Sequence, residues 1–338
     1  MNDYSALMDA GVAAVRIHSA TSFSWFGERN PQLSNTIRAA ISPSDAREYL
    51  LYSLQLQLYR NFYCPGAPVP AGILSVGGHR GVSVRADFVA RLSAANTGVG
   101  SLEPGWHVHA VDADRVVVER SGLLVWIKYE QLCLTDGALP KPGMSVSIRQ
   151  SKELPRRSPG FYLALGNHGM KSRDVDPVVR LYWNVIAESA PQLVELVTTR
   201  LNAADIPFRL KTINDARRYT RCDAAVLYGP KRCYPAIAEI VAGIHAELAA
   251  SLVPGTPAFT KRLAPGLALA EDPGTGDSFG MHRCRLFAEG ILNAREDGRR
   301  STSARRDSVI AAFAAAGITT ERPYLNPGSA DTYQAVSE

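Results

Sequence analysis

The stretch that most constrains this chain runs from residue 207 to residue 228. A short apolar strand, Pro207-Phe208-Arg209-Leu210, delivers Lys211; a polar turn carries Arg217, Arg218 and Arg221; a second strand closes the unit at Ala224-Ala225-Val226-Leu227-Tyr228. A lysine held between two core strands competes with desolvation, which lowers its pKa and turns it into a base. The neighbouring arginines suit a phosphate, because planar guanidinium groups bind its oxygens bidentately. A base and an anion clamp on one scaffold point to chemistry on a phosphorylated substrate.

At 338 residues the chain has room for two domains or one large one with a substantial core. The net charge of +5 is modest and spread along the sequence, so it favours an acidic or phosphorylated partner and gives no reason to expect nucleic acid. No apolar run approaches the roughly 20 residues that a membrane-spanning helix needs. The amino terminus has Asp3 and Asp9 where a signal peptide carries basic residues, so a cytoplasmic protein is expected. The five cysteines (Cys64, Cys133, Cys222, Cys233, Cys284) are odd in number and lack C-x-x-C spacing, which leads one to expect free thiols. His107 and His109 alternate on one face of a strand, but no carboxylate or cysteine at suitable spacing completes a metal site. The stretch Gly77-Gly78-His79-Arg80-Gly81 lacks the Gly-Lys-Ser/Thr of a P-loop.

Residues 1–95 read as mostly helical, with a cap at Pro43-Ser44-Asp45, apolar residues at helical spacing through Tyr59, and a second helix over 85–95. From about residue 103 the period changes. Three strand-like runs, from Trp106, Arg115 and Leu123, form an antiparallel meander, and further strands follow at 144–149 and 161–165. Residues 177–203 read as the clearest long helix, kinked or split at Pro191. Another helix is expected over 236–252, one opens near Ser278, Arg295 to Arg306 reads as polar and mobile, and Ala311 to Gly317 closes a last helix. The fold class is α+β: a helical amino-terminal region over 1–98, then an α+β domain over 99–338 with a largely antiparallel sheet flanked by helices.

Several short motifs resemble, in order, those of the Hop-A family of bacterial effector-like proteins. They are Asn96-Thr97-Gly98 with Gly105-Trp106, then Pro159-Gly160-Phe161-Tyr162, then Arg180-Leu181-Tyr182-Trp183-Asn184. The 207–228 unit and Ser278-Phe279-Gly280 through Glu289-Gly290 complete the set, which spans about residues 45–295. Members of that family occur as plant-pathogen effectors. Others stand beside an aminoglycoside-phosphotransferase-like kinase in clusters for ribosomally made peptides. There the resemblance implies a lyase that removes phosphate from phosphoserine or phosphothreonine, giving dehydroalanine or dehydrobutyrine in class V lanthipeptides and thioamitides. A more distant resemblance runs to phosphothreonine lyases, whose order of base lysine, phosphate-binding arginine and aliphatic strand is matched by Lys211, Arg218 or Arg221, and Val226-Leu227-Tyr228. Those lyases carry a Lys-x-His strand whose histidine is the general acid. No such tripeptide occurs here, and the corresponding strand, 161–165, offers Tyr162.

Phosphate elimination needs a base for the α-proton, a group that polarises the adjacent carbonyl, and cations for the departing phosphate. On the resemblance, Lys211 is the base and Tyr162 or His168 the acid. Arg218, Arg221, Arg283, Lys152 and Arg180 hold the phosphate; Arg283 is placed there because it follows a glycine at a helix start, where backbone N–H groups favour anions. The basic stretch with Lys152, Arg156 and Arg157 reads as a second wall of the pocket, a solvated basic loop or a leader-peptide contact. No cofactor and no metal are expected. The implied partners are a phosphorylated precursor peptide and a separate kinase. The competing expectation is a non-catalytic effector-like protein or scaffold that binds a precursor peptide, kinase or host partner through the same basic groove.

Overall fold

The computed structural model describes residues 3–72, 82–134, 139–155, 157–170 and 176–336, so the glycine-rich 77–81 stretch and Arg156 lie outside the described residues. The fold is α+β, as expected. Helix α1 (Tyr4–Ala14) leads into a small antiparallel sheet of β1 (Val15–Ile17), β2 (Phe23–Trp25) and β3 (Glu28–Arg29). Helices α2 (Asn35–Ala40), α3 (Pro43–Leu58) and α4 (Val82–Ala95) follow. The small sheet is absent from the helical reading of 1–95 because its strands are too short to show a period. A side chain stands in for a longer ladder: Asn30 Oδ1 accepts from the Phe23 N–H at 2.8 Å. Ser42 caps α3 with Pro43 in the first turn, one residue before the expected cap.

The meander is β4 (Leu102–Val111), β5 (Arg115–Arg120) and β6 (Leu123–Lys128). With β7 (Leu132–Cys133) and β8 (Ser145–Arg149) it makes a five-stranded antiparallel sheet in the order β6-β5-β4-β8-β7. Its core is its own, built of Trp106, Val108, Val116, Val118, Ile127, Val146 and Ile148.

The main sheet has six strands: β9 (Phe161–Leu165), β10 (Val178–Trp183), β11 (Arg209–Ile213), β12 (Ala225–Pro230), β13 (Lys261–Ala264) and β14 (Leu267–Glu271). They lie in the order β13-β14-β10-β12-β11-β9, every pair antiparallel. The expectation of one long helix over 177–203 is corrected here: residues 178–183 are the strand β10, and only α5 (Ala190–Ala203) is helical. All six residues of β10 are buried. A strand covered on both faces loses its polar alternation and reads as a continuous apolar run, which helical spacing also accommodates. Pro191 stands in the first turn of α5, where a missing N–H costs nothing, and so starts that helix rather than kinking a longer one.

Helices α6 (Tyr234–Leu248), α7 (Phe279–Glu296) and α8 (Thr302–Ala315) complete the chain. The stretch expected to be polar and mobile is shared between the end of α7 and the start of α8, which Ser301 caps. Side chains alternate across the main sheet. Tyr162, Leu210, Thr212, Leu227, Leu181 and Trp183 point to the face covered by α4, α5 and α6; Gly229 lets Ile237 of α6 come down onto β12. Phe161, Lys211, Val226, Tyr228, Arg180 and Tyr182 point to the other face, which the end of α3 and the start of α7 cover. The two-faced core extends to α1, α8 and the tail through Met8, Phe313, Tyr324 and Tyr333.

Helices α7 and α8 cross at Gly290, where an added Cβ would stand 2.4 Å from the Val309 Cα and 2.8 Å from the Ser308 carbonyl oxygen. Backbone cannot yield as a side chain can, so the crossing has to open. Gly290→Ala is expected to destabilise the fold by about 1–3 kcal/mol, read as a lower midpoint in denaturant unfolding with an unchanged m-value. An unchanged midpoint would show that the helices separate without cost.

Candidate functional site

Antiparallel register places Lys211 opposite Val226, and Val226 opposite Tyr182, in one row across three strands. On the far side of Lys211, β9 presents Phe161, and the Lys211 Nζ lies 4.0 Å from the centre of that ring. In the next row, the Arg180 guanidinium stacks 5.3 Å from the centre of the Tyr228 ring. Together with Tyr59, Tyr63, Asp223, Ser278 and Gly280 these side chains enclose a cavity of about 40 Å³. That is the room of about one water molecule, so only a small group enters without moving the walls.

The walls are built locally. A single π-helical turn, Tyr59–Tyr63, ends α3 and stacks the Tyr59 and Tyr63 rings with centres 5.4 Å apart, both against the cavity. Such turns recur at functional sites. Helix α7 starts at the mouth, with the Ser278 hydroxyl accepting from the Met281 N–H at 3.2 Å. Gly280 lies so close to Tyr63 that an added Cβ would fall 2.4 Å from the ring, so glycine is what lets the helix start reach the sheet. The first turn of an α-helix carries unpaired N–H groups and a partial positive charge.

Five charged groups meet here. The Arg180 guanidinium is buried and pairs with Asp272 at 2.6 Å, and its Nη2 also donates to the Asp277 carbonyl at 3.3 Å. Burial works against its charge, but Tyr182, Tyr228 and Asp272 outweigh that and raise its pKa. Arg221 pairs with Asp223 through two nitrogens and donates to the Tyr59 hydroxyl at 2.8 Å. Lys211 is different. Among the described residues its amine makes no hydrogen bond or ion pair, only the contact with Phe161. Burial is the largest cause of a pKa below the usual 10.5, and Arg221 and Arg180 push the same way against Asp223. Three cations against two carboxylates leave one positive charge, and the lone amine is the one without a partner. Chemically the arrangement suits a small anion beside an amine that holds its proton less tightly than an ordinary lysine.

Of the residues singled out in the sequence, Lys211 and Arg180 line this cavity, and Arg221 stands directly behind Asp223 and Tyr59. Arg218 lies against Gly160, beside Phe161, at the start of β9. The structure does not bring the others to Lys211. Tyr162 is on the opposite face of the sheet, fully buried, where its hydroxyl donates to Glu153 at 2.6 Å and accepts from Asn96 at 3.0 Å. Lys152 is on that side too, donating to the Ser93 and Asn96 carbonyls at the end of α4. His168 is exposed in the turn beyond β9, 3.8 Å from Asp205. Arg283 is wholly buried and turned to the tail: it donates to the Pro323 and Leu325 carbonyls at 2.7 and 2.9 Å.

The sequence reading missed Tyr59, Tyr63, Tyr182, Asp223 and Asp272 as parts of one site. Reading 178–183 as a strand recovers part of it, since Arg180 and Tyr182 at period two share a face. Among the described residues no cluster of three His, Cys, Asp or Glu side chains is placed to hold a metal, and no helix is long and apolar enough to cross a membrane. A larger cavity, about 970 Å³, lies between α1, β13, α8 and the tail. Its lysine, Lys261, is already paired with Asp331 at 2.8 Å, so it has no lone amine like Lys211.

The HopA1 effector protein family model matches residues 153–325, just over half of the chain. A comparison with curated proteins finds no match. Among solved structures, the effector protein from Pseudomonas syringae pv. tomato strain DC3000 is 17% identical, with 83% of this chain and 95% of that chain covered and a TM-score of 0.47. The effector protein from Pseudomonas syringae pv. syringae strain 61 is 13% identical, with 96% and 97% covered and a TM-score of 0.47.

Replacing Arg283 by methionine separates an anchoring role from a phosphate-binding one. Two buried carbonyls would lose their donor, at about 1–3 kcal/mol each. Arg283→Met is therefore expected to lower the melting temperature and open the 322–336 tail to limited proteolysis. A stable, protease-resistant variant would return Arg283 to the list of anion ligands.

Proposed function

The chain belongs to the HopA1 effector protein family, and we propose that it is a lyase that eliminates phosphate from phosphoserine or phosphothreonine of a ribosomally made precursor peptide. The observation that carries the reading is Lys211: a half-buried, unpaired amine with lowered pKa, one strand from Phe161 and two strands from Tyr182, beside a guanidinium and a helix start.

In this reading the neutral Lys211 amine takes the α-proton of the phosphorylated residue. The electron pair left on Cα becomes the Cα=Cβ double bond as the Cβ–O bond breaks, and that bonding pair leaves on the phosphate oxygen. The phosphate takes up one proton, which balances the one removed, and departs as hydrogen phosphate. No oxidant, reductant or cofactor enters this balance. Arg180 and the α7 start receive the phosphate, while Arg221, held by Asp223, keeps Tyr59 in place and lowers the Lys211 pKa through its charge. Burial of the amine is what makes a lysine usable as a base below its usual pKa. The natural partners are then the phosphorylated precursor peptide and the kinase that phosphorylates it, in the cytoplasm.

The test is mass spectrometry of phosphoserine- and phosphothreonine-bearing peptides incubated with the wild type and with Lys211→Met. Loss of phosphoric acid is expected with the wild type and about 10²–10⁴-fold slower with the variant. Peptide binding without loss of phosphate in either protein would replace the lyase by a phosphopeptide-binding effector or scaffold. The pH dependence adds a second reading. The wild-type kcat/KM should rise with pH and level off below 10.5, the usual lysine value. Because folding lowers that pKa, the unfolded chain binds more protons in the interval beneath 10.5, so Lys211 makes stability rise with pH there. Lys211→Met should remove that slope and stabilise the fold at neutral pH.

A further inference from the structure

We infer that Tyr182 is the hydrogen-bond donor that receives the substrate's amide carbonyl oxygen as the α-proton leaves, a role that rests on the lyase reading above. Three observations converge on this hydroxyl. Tyr182 and Lys211 occupy the same row of the main sheet on either side of Val226, so their side chains rise from the same face. Two inter-strand steps separate their Cα atoms by about 10 Å, so a small group held above Val226 has a side chain leaning toward it from each side. The Tyr182 hydroxyl is also buried, with the Tyr63 hydroxyl and the Arg180 guanidinium beside it but no hydrogen bond of normal geometry to either. Native structures leave few such groups without a partner, and a ligand or a water entering the cavity is one way this hydroxyl gains its own. Finally, the ring cannot easily turn away: Phe279 and Tyr63 pack against it with ring centres 6.3 and 6.5 Å distant.

The Tyr59 hydroxyl on the same wall is occupied by Arg221. Burial raises the Tyr182 pKa further above its usual 10.0, so the group stays protonated and donates a hydrogen bond without giving up its proton. That is the requirement for the step described. As Lys211 removes the α-proton, negative charge gathers on the carbonyl oxygen and then drains into the Cα=Cβ bond as the Cβ–O bond breaks. A donor fixed at that oxygen stabilises the transition state more than the ground state. The role differs from the one expected of Tyr162, which would have protonated the leaving group.

The test is Tyr182→Phe, which keeps the ring and its packing and removes only the hydroxyl. It is measured alongside the wild type for thermal unfolding and for kcat and KM on phosphoserine- and phosphothreonine-bearing peptides. The expected result is a kcat lower by about 10²-fold with KM unchanged and a melting temperature equal to or above that of the wild type. A wild type that eliminates phosphate and a Tyr182→Phe variant that does so equally fast would overturn the inference and leave the lyase standing. A variant whose melting temperature falls with its activity would make the hydroxyl structural and equally overturn it. If the wild type eliminates nothing, the lyase reading falls and takes this role with it, a pattern distinct from the other two.

Discussion

Antiparallel pairing in one register across β9, β11, β12 and β10 is the constraint on which the site depends. Because successive side chains alternate, that register alone decides that Phe161, Lys211, Val226, Tyr182 and Arg180 share a face. A slip of one residue in β11 would send Lys211 among the side chains now facing α5 and put Leu210 or Thr212 in the cavity. What prevents the slip is the other face. Tyr162, Leu210, Leu227, Leu181 and Trp183 are all fully buried there, and every one would be exchanged for a less suitable neighbour.

Electrostatics follows from that placement. Arg180 with Asp272 and Arg221 with Asp223 are buried pairs, and each pair gains little net stability once desolvation is counted. Their effect on Lys211 is more specific. Both arginines repel its proton, Asp223 attracts it, and burial tips the balance toward the neutral amine. In the lyase reading Arg180 serves twice, once by lowering the pKa of the base and again by standing where phosphate charge arrives. Arg180 also ties the start of the helix to the sheet, since its nitrogens reach both Asp272 and the Asp277 carbonyl just before Ser278.

Several residues of the recognised motifs act through architecture. Asn96 donates to the Tyr162 hydroxyl and to the Lys152 carbonyl, and its own side-chain oxygen accepts from the Gly98 N–H at 2.9 Å, which joins the end of α4 to β9. Gly290 permits the crossing of α7 and α8, and Arg283 holds the tail. Buried polar groups of this kind are satisfied within the protein, and a fully satisfied network rigidifies what it joins. A motif residue is therefore no sign of contact with substrate until its partners are known.

The α+β class, the meander from Trp106 to Ile127, the strand pair around Lys211 and the helix after Ser278 were legible in the sequence, because each rests on local period and on turn or cap residues. So was the placement of Lys211 on a strand, since a lone lysine between two apolar runs has few places to go. Strand β10 was not legible: burial on both faces erases the alternation that distinguishes strand from helix. Which tyrosine shares a face with Lys211 was not legible either, because Tyr162 and Tyr182 are both aromatic strand residues, and only strand register puts one behind the sheet and the other on the side of the amine. Arg283 and Arg180 are both buried arginines near one helix start, yet one turns to tail carbonyls and the other to the cavity. Local sequence determines whether a segment is strand, turn or helix; which side chains meet is decided by pairing between strands far apart in the chain, where no local period reaches.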